Sequence, residues 1–248
     1  MEKQFEDYSR KKEAIYSDHL SENIKPIMVC VSAPEHKNFN GSHNEIFLTQ
    51  KGNANYFGNP EALREAGFKN PEKDSYVISP VSNLDKFSNS FINCLGLVVA
   101  GQDKNTGENI SIISHQRPDY FTRNTQLEDR KDGFVSDLKS RLGEIESLSR
   151  EKTIDAVLFG GNYFEDDKLL QKEYEAGIGL ISQIIEKELG FIPVVATGSK
   201  NILGDESVEY DNKNRRLYIF RKIVGDGTTK NYSPTDFSLQ KEEWRGLP

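Results

Sequence analysis

Phe91-Ile92-Asn93-Cys94-Leu95-Gly96-Leu97-Val98-Val99-Ala100-Gly101, the turn Gln102-Asp103-Lys104-Asn105-Thr106-Gly107-Glu108 and the return run Ile110-Ser111-Ile112-Ile113-Ser114-His115 decide how this chain folds. Both apolar runs are rich in residues that suit a pleated surface. The link between them is rich in Asp, Asn and Gly, the residues of turns. Together they predict an antiparallel hairpin, in which the start of the first strand lies beside the end of the second. Local geometry therefore brings Cys94 towards His115. A thiol beside an imidazole is the minimal apparatus of a cysteine nucleophile: the histidine takes the proton and the thiolate attacks. On the pair alone the plainer reading is the stronger one, a small buried hydrophobe and an ordinary strand-end histidine. The rest of the chain has to shift the balance.

The chain has 248 residues, of which 35% are hydrophobic. Its mean hydropathy is −0.65. These values predict a core module with polar flanks. A net charge of −7 argues against nucleic acid as a partner, because phosphate binding needs a basic face. It argues equally against adhesion to anionic membranes. The first twenty residues are charged throughout, and no apolar run reaches the length of a signal core or a membrane span, so no membrane insertion is expected. Cys30 and Cys94 are the only cysteines. They imply no disulfide framework and point to a reducing, cytoplasmic setting. No CxxC or HxxxH spacing supports a zinc site.

Along the chain, residues 1–22 have helical spacing, with Phe5, Tyr8, Ile15 and His19 near one face. Pro26 ends that helix at the latest. Ile27–Val31 reads as a short strand. Residues 33–75 are loop-like apart from one helical turn over Pro60–Ala66. A boundary in 66–76 separates an N-terminal extension, 1–75, from a denser module, 76–222, followed by a polar tail, 223–248. Within the module Tyr76–Ser79 opens a strand. Asp132–Arg150 predicts an amphipathic helix, with Phe134, Leu138, Leu142 and Ile145 on its apolar face. Ile154–Phe159 predicts a buried strand running into Gly160-Gly161-Asn162. Tyr174–Leu189 predicts a second helix closed by Gly190, and Phe191–Ala196 another strand. Ser207–Tyr210 and Arg216–Phe220 form a hairpin about Asp211-Asn212-Lys213-Asn214. The expected class is α/β, a mixed β-sheet sandwich flanked by helices. Neither GxGxxG nor GxxxxGK[ST] fits at Gly160-Gly161, so the plainer reading there is a tight turn after a buried strand.

The order of these motifs resembles the CheD chemoreceptor glutamine deamidases, within the wider group of cysteine hydrolases that includes cytotoxic-necrotizing-factor-type toxin deamidases. The resemblance spans residues 76–222. It rests on Asn93-Cys94 before a hydrophobic strand, Ser114-His115 after the turn, and a helix before Leu158-Phe159-Gly160-Gly161-Asn162-Tyr163-Phe164. A loop then leads to an Ile-Gly step opening the second helix, Ile178-Gly179, and the closing hairpin reads Ser207–Arg221. The ordered set, rather than any one motif, makes Cys94 and His115 the favoured catalytic pair. The family's threonine six residues before the cysteine corresponds to Ser88, with Ser90 nearby. The family's Gly-Ser before the cysteine is Ile92-Asn93 here, and Gln116-Arg117-Pro118 replaces an apolar run. These departures bear on which substrate is taken.

The resemblance implies a cysteine-dependent amide hydrolase acting on a protein substrate that presents an exposed glutamine. Cys94 would attack the side-chain amide carbon. His115 would take the thiol proton and return it to the leaving ammonia, and Ser88 would orient the imidazole or donate to the substrate. Backbone N–H groups near Cys94 would meet the oxyanion. Asn93, Leu95, Gln116, Gly160, Gly161 and Asn162 are expected around the substrate. No metal or organic cofactor is required. Two other readings stand beside this one. Laccase-domain purine nucleoside phosphorylases share the broader fold, but His115-Gln116-Arg117-Pro118 does not match their HAGWRG-like run. A catalytically inactive relative serving as a protein-binding module is the other.

Overall fold

A computed structural model describes residues 19–31, 60–69, 76–91, 93–118, 128–163, 167–200 and 204–223. The helix expected over 1–22 lies outside these residues except for 19–22, which are not helical. The expected tail lies outside them except for Ile223. Along the described chain come β1 (Met28–Val31), α1 (Pro60–Glu65), β2 (Tyr76–Ile78), β3 (Lys86–Phe91), β4 (Leu95–Gln102) and β5 (Asn109–Gln116). Then follow α2 (Glu128–Leu148), β6 (Asp155–Tyr163), α3 (Lys168–Leu189), β7 (Val194–Lys200), β8 (Gly204–Asp211) and β9 (Arg216–Ile223).

The class is α/β, with two mixed sheets. One has the order β1-β9-β8-β3 and the other β2-β5-β4-β6-β7. The parallel pairs are β1 with β9 and β6 with β7; the rest are antiparallel. Two apolar clusters fill the layers. Leu95, Leu97, Val99 and Ile112 pack against Phe134, Leu138 and Leu142 of α2 and Ile178, Ile181 and Ile185 of α3. Val98, Ala100, Ile113 and Phe159 pack against Val208, Tyr210, Leu217 and Ile219 of the other sheet. Strand β4 is therefore buried on both faces, which is why its sequence runs continuously apolar instead of alternating.

The hairpin expected around residues 102–108 is the β4–β5 pair. The apolar run that opens it, however, is divided. Phe91 ends β3 opposite Glu206 of the four-stranded sheet. Leu95 begins β4 between Gln116 and Gly160 of the five-stranded sheet. Partners on different sheets claim the two halves, so the chain crosses between layers at Asn93-Cys94. Helix α3 starts six residues before the expected Tyr174, because Asp167 caps it: its carboxylate accepts from the N–H groups of Leu169 (3.0 Å) and Leu170 (3.1 Å). Gly190 closes it as expected. Strand β7 starts after Pro193, which has no N–H to give to a ladder.

The N-terminal extension is tied to the module. Strand β1 lies parallel to β9, and Ile27 and Phe68 are buried in the inter-sheet cluster. Asp155 at the start of β6 accepts from the Ile27 N–H at 2.6 Å. Among the described residues no helix is long and apolar enough to cross a membrane.

Candidate functional site

The site is built where the chain changes sheets. In the β4–β5 ladder Leu95 pairs with Gln116 and Gly96 with His115. Alternation sends the first pair to the helix side and the second to the inter-sheet side. Cys94 lies in the inter-sheet cluster with Val98 and Ala100. One pleat before Gly96, it is the diagonal neighbour of His115, and such neighbours stand about 7–8 Å apart at Cα with Cβ atoms closer. This register places Cys94 and His115 on the same, inter-sheet side of the β4–β5 pair.

Ser88 comes from the other sheet. It is fully buried on β3, and its Oγ lies 3.0 Å from His115 Nδ1. The contact spans the two layers. If the Ser88 hydroxyl donates, Nδ1 carries the lone pair. If Nδ1–H donates to Ser88 Oγ, Nε2 keeps its lone pair and the ring is a base at that atom. The second tautomer is the one a thiol can use. Burial in an apolar layer pushes the His115 pKa down to about 3, so the resting ring is neutral, as a general base must be.

Two aromatic rings fix the imidazole. Phe91 stacks on it, with centroids 3.9 Å apart and planes 16° apart. Phe159 meets Phe91 edge-on at 5.1 Å. Both rings use the room left by Gly96, where a Cβ would overlap Phe159 and press on Phe91. The sequence reading did not single out Phe91, Phe159 or Gly96 for the site. The available signal was a glycine inside an otherwise apolar strand, which marks a close approach.

The double glycine holds Cys94 from behind. The Gly161 N–H donates to the Cys94 carbonyl at 2.7 Å. Gly160 and Gly161 have φ of +78° and +79°, a region that side chains other than glycine's rarely adopt. A Cβ on Gly160 would stand 2.6 Å from the Cys94 carbonyl oxygen. This turn thus sets the backbone of the cysteine, and the Gly161 N–H is engaged there.

The remaining candidates divide between faces. Asn93 is half-buried, and the Cys94 thiol points to its Oδ1 at 3.9 Å. Leu95 is buried in the helix-side core. Gln116 is buried on that same side, paired across the ladder with Leu95 and Tyr76, and its amide has no hydrogen-bond partner among the described residues. Leu95 and Gln116 are therefore separated from the sulfur and imidazole by the sheet itself. Asn162 pairs with Ser199 in the β6–β7 ladder, and its side chain lies outside the description. The site is closed: Cys94 is 5% exposed and His115 0%. Among the described residues no group of three His, Cys, Asp or Glu side chains is placed to hold a metal ion. No family model matches the chain, and no curated protein is similar to it.

Proposed function

We propose that this protein is a cysteine-dependent glutamine deamidase of the CheD-like kind, acting on an exposed glutamine of a protein substrate. The observation that carries the reading is the Ser88–His115 contact on the face that also bears Cys94. In this reading Nδ1–H of His115 donates to Ser88, and Nε2 takes the proton of the Cys94 thiol as sulfur attacks the glutamine amide carbon. The tetrahedral oxyanion meets backbone N–H groups beside Cys94. His115 then passes its proton to the departing amide nitrogen and ammonia leaves. Water, deprotonated by the same imidazole, hydrolyses the thioester to glutamate and restores the thiol. The chemistry is complete with these side chains and water.

Neutral His115 fits this order of events. The buried ring resists a standing charge, so a thiol–imidazole pair at rest and a transient ion pair during attack are favoured over a permanent thiolate. The test is mass spectrometry of lysate proteins incubated with wild type and with Cys94→Ala. Gains of about one dalton at glutamines, confined to the wild-type sample, support the proposal. Identical spectra from both samples reject it.

The closure over Cys94 and His115 favours a second reading, a binding module that keeps the pair as packing. Under it, iodoacetamide would modify Cys94 no faster than an ordinary buried thiol.

A further inference from the structure

The turn before β3 carries a second set of groups that the deamidase reading does not use. Lys86 is fully buried. Its Nζ lies 2.6 Å from Ser82 Oγ, 2.8 Å from the Leu84 carbonyl and 3.4 Å from the Ser82 carbonyl. Ser82 is half-buried, whereas its partner Lys86 is fully buried. Ser82 also pairs with Ser111 of β5 by reciprocal backbone bonds, Ser82 N–H to Ser111 at 3.2 Å and Ser111 N–H to Ser82 at 2.9 Å. Residues paired in this way point their side chains to one face, with Cβ atoms about 4.5–5.5 Å apart. The Ser111 hydroxyl is fully buried and has no hydrogen-bond partner among the described residues.

We infer that Ser82, Lys86 and Ser111 form an acyl-transfer site, separate from Cys94, that accepts a small activated ester. Ser82 is the nucleophile. Lys86, as a neutral amine, accepts the Ser82 proton and still donates to the two carbonyls. Ser111 stands as a donor beside the nucleophile, its hydroxyl uncommitted. Burial lowers the Lys86 pKa to about 7, opposed only by the Asp85 carboxylate beside it, so the amine is available as a base near neutral pH. Among the described residues, the ionisable groups near this turn include Tyr210, opposite Lys86 in the β3–β8 ladder, and Glu108, which accepts from the Asn83 amide. In the reaction the Ser82 Oγ–acyl bond forms and the ester C–O bond breaks. The proton moves from Ser82 to Lys86 and on to the leaving alkoxide. Water, deprotonated by Lys86, then cleaves the acyl-serine and releases the carboxylic acid.

A plain structural role for Lys86, tying the turn through its three contacts, predicts no reactivity at Ser82. The two accounts separate in a labelling experiment with a fluorophosphonate on the full chain carrying Cys94→Ala, which removes the thiol from consideration. The expected result is stoichiometric phosphonylation of Ser82 by peptide mapping, with a rate that rises through a midpoint near pH 7. Lys86→Met should slow labelling at least about 100-fold, and Ser111→Ala about 10-fold with the midpoint unchanged. Should Lys86→Met fail to fold, the pH profile of the Lys86-containing protein decides alone. Absence of label on Ser82, or a rate that climbs past pH 9 without a midpoint, overturns the assignment. So does a folded Lys86→Met that labels at the parent rate.

Discussion

At the turn end of the β4–β5 hairpin, Asp103 accepts from the N–H groups of Asn105 at 2.7 Å and Thr106 at 2.8 Å, and its own N–H donates to Glu108 at 2.8 Å. Every one of those partners lies within five residues. At the other end of the same two strands, Ser88 reaches His115 across 27 residues, and the Gly161 N–H reaches the Cys94 carbonyl across 67. The turn end is mostly exposed, and the bonds that shape it about Asp103 are local, as in any solvated turn; Lys104 adds a tether to the end of α2, its N–H donating to the Leu148 carbonyl at 2.9 Å. The site end is buried and is assembled from β3, β4, β5 and β6, so each group there depends on partners delivered by the fold. The first end sets register. The second holds a neutral imidazole, tied to Ser88, on the face that also bears Cys94, in a layer that disfavours charge.

The largest effect should come from removing the thiol itself. Cys94→Ala should lower deamidation at least about 10³-fold, roughly 4 kcal/mol of transition-state stabilisation. Its unfolding free energy should change by no more than about 1 kcal/mol, because the small side chain fills little volume. A full-rate Cys94→Ala enzyme would reduce the site end to packing. Cys30→Ala, on a strand of the opposite sheet, should leave the rate alone.

The next comparison sets two glycines against each other. Gly107 at the turn end has φ +75° and Gly160 at the site end +78°. Alanine at either position meets the same backbone cost, about 1–2 kcal/mol. A Cβ at Gly107 would stand 3.3 Å from the tip of Arg150, a flexible side chain that can move. The Cβ at Gly160 meets the Cys94 carbonyl, which is backbone. Gly160→Ala should therefore cost about 1–3 kcal/mol more than Gly107→Ala, measured by urea denaturation. It should also slow alkylation or turnover at Cys94, whereas Gly107→Ala should not. Equal losses at the two positions would mean that the double glycine does not set the cysteine.

These contrasts explain what the sequence could reveal. The hairpin, its turn and the Gly190 cap are written in near neighbours, so Asp103, Gly107 and Gly190 could be read directly. The faces of β4 and β5 follow from alternation, which puts Cys94 and His115 on the same side of the pair. Strand β3 could not be read: Lys86, Ser88, Asn89 and Ser90 look like loop, and the segment is a strand because β8 pairs with it more than a hundred residues later. The same long reach hid the split of the Phe91–Gly101 run between two sheets. Ser88 was reached only through a family resemblance, and the ring of Phe91 over His115 was signalled only indirectly, by Gly96 inside an apolar strand. The early start of α3 was missed because its first turn, Lys168–Gln171, is exposed or half-buried, so its signal is a cap and not a stripe.

Acid should separate the two ends further. His115 holds a proton in the unfolded chain below its ordinary pKa of 6.5, but in the folded protein only below about 3. Between those values the unfolded state binds more protons. The contribution is fully present above pH 6.5 and is lost as pH falls towards 3, by roughly 1.4 kcal/mol per pH unit at most. Asp103 at the turn end is shifted down by the backbone N–H groups of Thr106 and Asn105. Its contribution is present above its ordinary pKa of 3.8 and fades only below it. Unfolding free energies measured from pH 7 to pH 4.5 should converge between wild type and His115→Gln as acidity rises, because the variant lacks the titrating ring. Curves that stay parallel throughout would show that His115 is not held neutral by burial.

The smallest effect should be at Ser88, whose hydroxyl neither bonds to substrate nor moves a proton in the proposed mechanism. Ser88→Ala removes one neutral hydrogen bond between the layers, worth about 0.5–1.5 kcal/mol of stability. It leaves Nδ1 buried without its partner, which lets the ring populate the tautomer with the proton on Nε2. That tautomer cannot accept from the thiol. The expected consequence is a fall in kcat of about tenfold, near 1.4 kcal/mol, with KM nearly constant because Ser88 does not bind substrate. Ser88→Thr keeps the hydroxyl and should recover most of the rate. A purely structural role would show instead as parallel losses of stability and activity in both variants. An unchanged kcat in Ser88→Ala, with stability reduced as expected, would keep the bridge between sheets and remove it from the chemistry.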